Sequence, residues 1–177
     1  MKENVKTEEV AFKLAIAAVL AALVCVATLI FTISIPATSG YFNLGEPVIY
    51  VAALLFGSYV SGLAGGVGAS IADMMVAAQF APGTLIIKGI EGMIVGILNK
   101  RITIQTAKQS LSATIAVIVG GLEMVAGYFL YEHFVLNYPI ADAIVEVPFN
   151  IVQMLVGLIV AVPVASIILR IFPQLKS

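Results

Sequence analysis

Residues 47–98, PVIYVAALLFGSYVSGLAGGVGASIADMMVAAQFAPGTLIIKGIEGMIVGIL, decide the fold. The stretch is apolar almost throughout, yet glycines at 57, 62, 65, 66 and 68 and the Pro82-Gly83 pair interrupt it. Runs this long and this continuously apolar do not alternate as barrel strands must, so they read as helices in lipid. The breaks predict spans over about 47–60, 62–80 and 84–98. Three crossings are tight for a segment of this length, and the span at 47–60 is expected to be short or tilted.

Outward from this stretch the same pattern continues. Residues 1–10 are polar, and an apolar run over 11–35 then stops at Pro36. It is long and preceded by Glu3, Glu8 and Glu9, which marks a retained span and not a cleaved leader. Ala37-Thr-Ser-Gly-Tyr-Phe-Asn-Leu-Gly-Glu46 is a loop of turn formers and polar groups, and no strand is expected in it. Residues 99–111, NKRITIQTAKQSL, form a basic polar loop, and further spans run over 112–134 and 143–172. The reading is an all-α integral membrane protein of six transmembrane helices in a single domain, 1–177, placed in the cell membrane.

Composition agrees. The 177 residues are 61% hydrophobic and 11% charged, where soluble domains are about half apolar and about a quarter charged. A net charge of -1 offers no basic field for nucleic acid, and the single Cys25 makes no disulfide within the chain. Lys2, Lys6, Lys13, Lys100, Arg101, Lys108, Arg170 and Lys176 fall on one side of the six-span arrangement, while the loops at 37–46 and 135–142 hold no Lys or Arg. Since cytoplasmic loops retain basic residues, both termini are expected to be cytoplasmic.

Ionisable residues inside spans mark function, because a charge at bilayer depth costs about 2.5–3.5 kcal/mol on insertion scales. They are Asp73, Lys88, Glu91 and Glu123. At about 1.5 Å of rise per residue, Asp73 and Glu91 lie roughly 10 Å below the outer surface and Glu123 roughly 15 Å. Asn150 and Gln153 enter at depths between these, and Tyr128 shares a face with Met124 on the helix that carries Glu123. A cavity open to the outside is expected. Lys88 and Glu91 are three apart on one face, so Lys88 is either their internal pair or a ligand contact. Three buried carboxylates against one ammonium require protonation or a bound solute that is cationic or rich in donors. His133, beside Glu132, is placed at the solvated rim.

On the first span Ala11, Ala15, Ala18 and Ala22 form one small-residue stripe, suited either to internal packing or to a partner helix. No GxxxxGK[ST], GxSxG or HExxH is present, and one histidine with one cysteine cannot build a metal cage. No catalytic residue, cofactor or metal is expected. The residues suit a binding pocket, not an enzyme.

The short spans, the alanine stripe, Gly40-Tyr-Phe-Asn-Leu-Gly-Glu46 with Pro47, and GSYVSGLAGGVGASIADMM together make the chain resemble an S component of energy-coupling factor (ECF) transporters, of the riboflavin or hydroxymethylpyrimidine type. The resemblance implies high-affinity binding of a small vitamin or vitamin precursor from outside. It also implies docking on a transmembrane coupling subunit with two cytoplasmic ATPases. By that likeness Ala15, Ala18 and Ala22 would face the coupling subunit, and Tyr41, Phe42, Asn43 and Leu44 would close over the substrate. The substrate would be held by Glu91, Glu123, Asn150, Gln153, Lys88, Asp73, Tyr128 and Asn43. The carboxylate excess leans toward an amine-bearing ring such as an aminopyrimidine. Two other readings use the same residues: an assembly subunit in which they pair between helices, and a proton-coupled transporter in which they relay protons.

Overall fold

A computed structural model describes residues 2–106 and 109–175. Its elements in chain order are α1 (Lys2–Ile30), β1 (Ile33–Ile35), β2 (Gly40–Phe42), α2 (Glu46–Val76), α3 (Ala81–Thr106), α4 (Gln109–Phe134) and α5 (Ile140–Ile171), with a short 3-10 turn at Pro173–Leu175. Lys108 and Lys176, two of the basic residues used to orient the chain, lie outside the described residues.

The helical membrane class holds, but the helix count differs. Among the described residues five helices are long and apolar enough to span a bilayer, not six. The predicted span 47–60 and the predicted span 62–80 as far as Val76 lie in one element, α2, broken only at Gly57, whose φ of 79° and ψ of -174° are non-helical. That backbone region is essentially reserved for glycine. A side chain there would meet nothing within 4 Å, so the requirement is conformational and not steric. Gly65 packs against Ile49, and the two lie equally far from Gly57 on either side. The arms of α2 therefore lie side by side, joined without a loop. No turn-forming polar run marks such a reversal, which is why its breaks read as an ordinary boundary.

Two further expectations shift. The loop after α1 contains a strand pair: β1 and β2 are antiparallel, with Ile33 opposite Phe42 and Ile35 opposite Gly40. Ser39 takes a φ of 61° in the connection, and the hairpin lets the backbone satisfy its own polar groups near the lipid. The predicted polar loop 99–111 is mostly helix, because α3 runs to Thr106 and α4 resumes at Gln109. Polar side chains end a membrane span without ending a helix.

Packing follows the small residues. An added Cβ on Gly92 would lie 2.7 Å from the Ser61 carbonyl oxygen, and one on Gly66 2.6 Å from that of Leu85. Glycine at both positions lets α2 and α3 approach backbone to backbone. The Ser61 hydroxyl donates to the Gly92 carbonyl at 2.7 Å across this seam. One buried cluster, including Val24, Ile49, Tyr50, Val95, Val117 and Ala161, fills the middle of the bundle. A second, with Phe80, Ile87, Met124, Tyr128 and Met154, lies nearer the hairpin. The helix α1 is outermost: Ala17, Ala21, Val24 and Thr28 face the body, while Ala11, Ala15, Ala18 and Ala22 are exposed. Large apolar side chains such as Phe12, Val19, Ile30, Ile159 and Ile167 also face outward. A surface this apolar is matched to lipid or to a partner.

Candidate ligand-binding site

The β1–β2 hairpin is bound down by polar contacts to the helices beneath it. The Tyr41 hydroxyl donates to Asp73 on the second arm of α2. The Thr38 hydroxyl donates to Glu146 on α5, and the Tyr138 hydroxyl donates to the Thr38 carbonyl at 2.8 Å. Asn43 donates its backbone N–H to Gln153 Oε1 at 2.6 Å, and its own Oδ1 accepts from Gly45 N–H at 2.9 Å. Phe42 is buried and meets Phe31 edge to face, with ring centroids 6.2 Å apart. Burial pushes the Tyr41 phenol above its ordinary pKa, and the Asp73 carboxylate adds to the effect, so the hydroxyl remains a donor.

Beneath the hairpin is a cavity of about 30 Å³ lined by Gly40, Tyr41, Asn43, Asp73, Phe80, Tyr128, Glu146, Asn150 and Gln153. It has room for about one water molecule. A ring-sized ligand fits only if the hairpin lifts, and the polar latches are the contacts that must open. Asp73 also accepts from the Thr84 hydroxyl, which is 2.9 Å from the Tyr128 hydroxyl. Gln153 Nε2 donates to Asn150 Oδ1 at 3.3 Å. The sequence-predicted Asp73, Tyr128, Asn150, Gln153 and Asn43 therefore come together.

Lys88 and Glu91 stand one layer deeper, in a cluster of their own. Lys88 donates to Glu46, the first residue of α2, and to Glu91 Oε2 at 3.2 Å, and all three are buried. The Tyr50 hydroxyl donates to Glu91 Oε1 at 2.6 Å. Gly121 and Gly157 make room for that ring: a Cβ on Gly157 would sit 2.7 Å from Tyr50 Cδ2. The Lys88 ammonium lies 5.4 Å from the Tyr128 ring centre, which joins the two layers by a cation–π contact. Of the two readings left open for Lys88, the structure shows internal pairing. Glu123 enters neither set of hydrogen bonds; it is half-buried and its Oε2 has no partner.

Sequence reasoning missed three acids. Glu132 is fully buried and not at a solvated rim, and its carboxyl faces that of Glu146, with neither Glu132 oxygen receiving a hydrogen bond from a donor among the described residues. Two carboxylates side by side out of water repel, so the pair needs a proton or a donor-bearing group between them. Glu146 lies one helical turn before Asn150, and Glu132 one turn after Tyr128, so extending each polar face outward by one turn finds both. Glu46 carries no such signal, because its partner Lys88 is brought to it by the packing of α2 on α3. His133 Nδ1 lies 3.0 Å from the Tyr138 carbonyl oxygen and takes no part in the cavity.

Residues 10–170 match the family described as ECF-type riboflavin transporter, S component. An uncharacterised protein of Pyrococcus woesei is 39% identical over 137 residues, covering 77% of this chain and 88% of the relative. The thiamine precursor transporter HmpT of Lactococcus lactis subsp. cremoris (strain MG1363) is 31% identical over 160 residues, covering 89% of this chain and 88% of that one. Among solved structures, the S component of a bacterial ECF transporter superposes with a TM-score of 0.67 at 18% identity, covering 94% of this chain and 99% of the other. That likeness is one of fold.

Proposed function

The chain belongs to the family of S components of ECF-type riboflavin transporters, and from that premise we propose that it captures a small amine-bearing ring, of the aminopyrimidine kind found in thiamine precursors, beneath the β1–β2 hairpin. The observation that carries this reading is the floor of the hairpin cavity. It presents the Asp73 and Glu146 carboxyls, with Glu132 behind, and amide groups from Asn150 and Gln153, while the Lys88 ammonium is held by Glu46 and Glu91. Carboxylates with no ion-pair partner among the described residues favour a ligand that brings donors or positive charge. The Lactococcus relative, a thiamine precursor transporter, points the same way. Tyr41, Phe42, Asn43 and Leu44 move with the hairpin as the gate.

The two arms of α2 serve as spans two and three. That makes six crossings, with the Gly57 turn at the same end as Lys13, Lys100 and Arg101, which line one cleft with it. Basic residues gathered at one end support a cytoplasmic position for that end and for both termini. The exposed alanine face of α1, at Ala15, Ala18 and Ala22, is the docking face for a transmembrane coupling subunit. Two cytoplasmic ATPases supply the energy, since the sequence has no phosphate-binding loop of its own. The chain acts as one transmembrane domain and as a binding subunit, not an enzyme.

Native mass spectrometry of gently purified protein tests the reading, followed by titration with hydroxymethylpyrimidine, thiamine, pyridoxine and riboflavin. An amine-bearing ring is expected to bind, and Glu146→Gln to weaken it. Failure of the wild type to bind any of the four, or equal binding by Glu146→Gln, overturns the proposal.

A further inference from the structure

At the end of the bundle opposite the hairpin lies a cleft of about 750 Å³ that the ligand-binding reading does not use. Lys13 of α1 and Lys100 and Arg101 of α3 line it, with Leu54, Phe56 and Leu169 among its apolar walls. Two side-chain atoms in this lining are buried without a partner among the described residues: Asn99 Oδ1, on a side chain about nine-tenths buried, and Thr103 Oγ1. Buried polar atoms are nearly always satisfied, so the pair marks a place where a ligand completes the hydrogen bonding. Beside the cleft runs an apolar groove of about 320 Å³ along α1, lined by Ala15, Ile16, Val19, Leu20 and Phe56. Phe56 borders both.

We propose that this cleft and groove together hold one anionic phospholipid, its headgroup among Lys13, Lys100 and Arg101 and an acyl chain along α1. The order of the residues matches the order of a lipid. Lys13 comes first on α1 and the apolar lining 15–20 follows toward the middle of the span, so head and tail lie along the axis a bilayer lipid already occupies. Glu9 pairs with Lys13 at 2.7 Å on the exposed side and leaves the other two cations to define the charge of the cleft. A phosphate accepts from these cations and from the Thr103 hydroxyl, and a hydroxyl-bearing headgroup donates to Asn99 Oδ1. A small free anion would use the cleft but not the groove, and a neutral lipid the groove but not the cations. Because Ala15 lies in the groove and on the proposed docking face of α1, a bound chain covers part of that face, and docking of a coupling subunit displaces it.

The test is competition, with native mass spectrometry as the readout. The delipidated full chain in detergent is offered equal amounts of phosphatidylglycerol and phosphatidylcholine with identical acyl chains. Phosphatidylglycerol adducts are expected to exceed phosphatidylcholine adducts by about tenfold or more, and Lys100→Gln with Arg101→Gln to bring the ratio near parity. Should that double variant fail to fold, Ile16→Trp decides: it fills the groove with every charge intact and is expected to shed phosphatidylglycerol. Equal retention of the two lipids by the wild type, an unchanged preference in the double variant, unchanged retention by Ile16→Trp, or equal competition by glycerol phosphate overturns the proposal. So does a wild-type cleft that retains no lipid and is protected from modification only by an added coupling subunit, which assigns it to protein docking.

Discussion

The two acidic layers at the hairpin end of the bundle are built on opposite plans. In the deeper one, Glu46 and Glu91 share the Lys88 ammonium, and Tyr50 supplies a further donor. In the outer one, Asp73, Glu132 and Glu146 form no ion pair among the described residues: Asp73 and Glu146 are held by hydroxyls of Tyr41, Thr84 and Thr38, and Glu132 by none. The deeper layer largely meets its own electrostatic needs and acts as scaffold. The outer layer is completed by whatever comes under the hairpin. Burial by itself does not separate the two, since residues of both lie below one-tenth exposure; the presence of a counter-charge does.

The largest effect is expected where that counter-charge is removed. Lys88→Met leaves Glu46 and Glu91 buried and unpaired, and breaking a buried pair from one side costs about 3–5 kcal/mol. Thermal unfolding in detergent should show a large loss of stability, much of it recovered when Glu46→Gln and Glu91→Gln are added. A Lys88→Met protein as stable as the wild type would break the distinction between the layers. The next effect is on binding. Hydrogen bonds to charged groups contribute about 1.5–3 kcal/mol, so Glu146→Gln should weaken the ligand roughly ten- to hundredfold in a calorimetric titration, with little change in unfolding. If unfolding moves instead, the outer layer is scaffold as well.

Gly57→Ala touches neither layer but sits at the turn that places Glu46 on one arm of α2 and Asp73 on the other. Forcing a side chain into that backbone region costs about 1–3 kcal/mol, and the loss should appear as lower stability together with weaker binding. The smallest effect belongs to the gate. Tyr41→Phe removes one of two hydroxyls that donate to Asp73, a latch at the low end of bonds to a charged group, about 1.5 kcal/mol, and should speed ligand dissociation by about tenfold in stopped-flow measurements, while stability stays near that of the wild type.

Much of this was legible in the residues. Long apolar runs announced membrane helices, and the polar residues within them announced where those helices meet. Asp73, Tyr128, Asn150 and Gln153 do line one cavity, because α2, α4 and α5 carry them at depths the rise per residue predicts. Glu123 does not line that cavity: depth places a residue along an axis, whereas entry into a cavity also depends on how the helix is rotated against its neighbours. The hairpin is not legible in the sequence because two strands of three residues are too short to show alternation.

The sequence by itself determined the solvent of this protein, its helical class and the residues too polar to face lipid, since these follow from composition and from periodicity within single elements. Only the tertiary structure decided which polar residues meet. Glu46 and Lys88 are 42 positions apart and Thr38 and Glu146 108 apart. Their encounters depend on a reversal at one glycine and on how closely glycine seams let helices approach. Such contacts are properties of packing between elements, which no pattern within one element records.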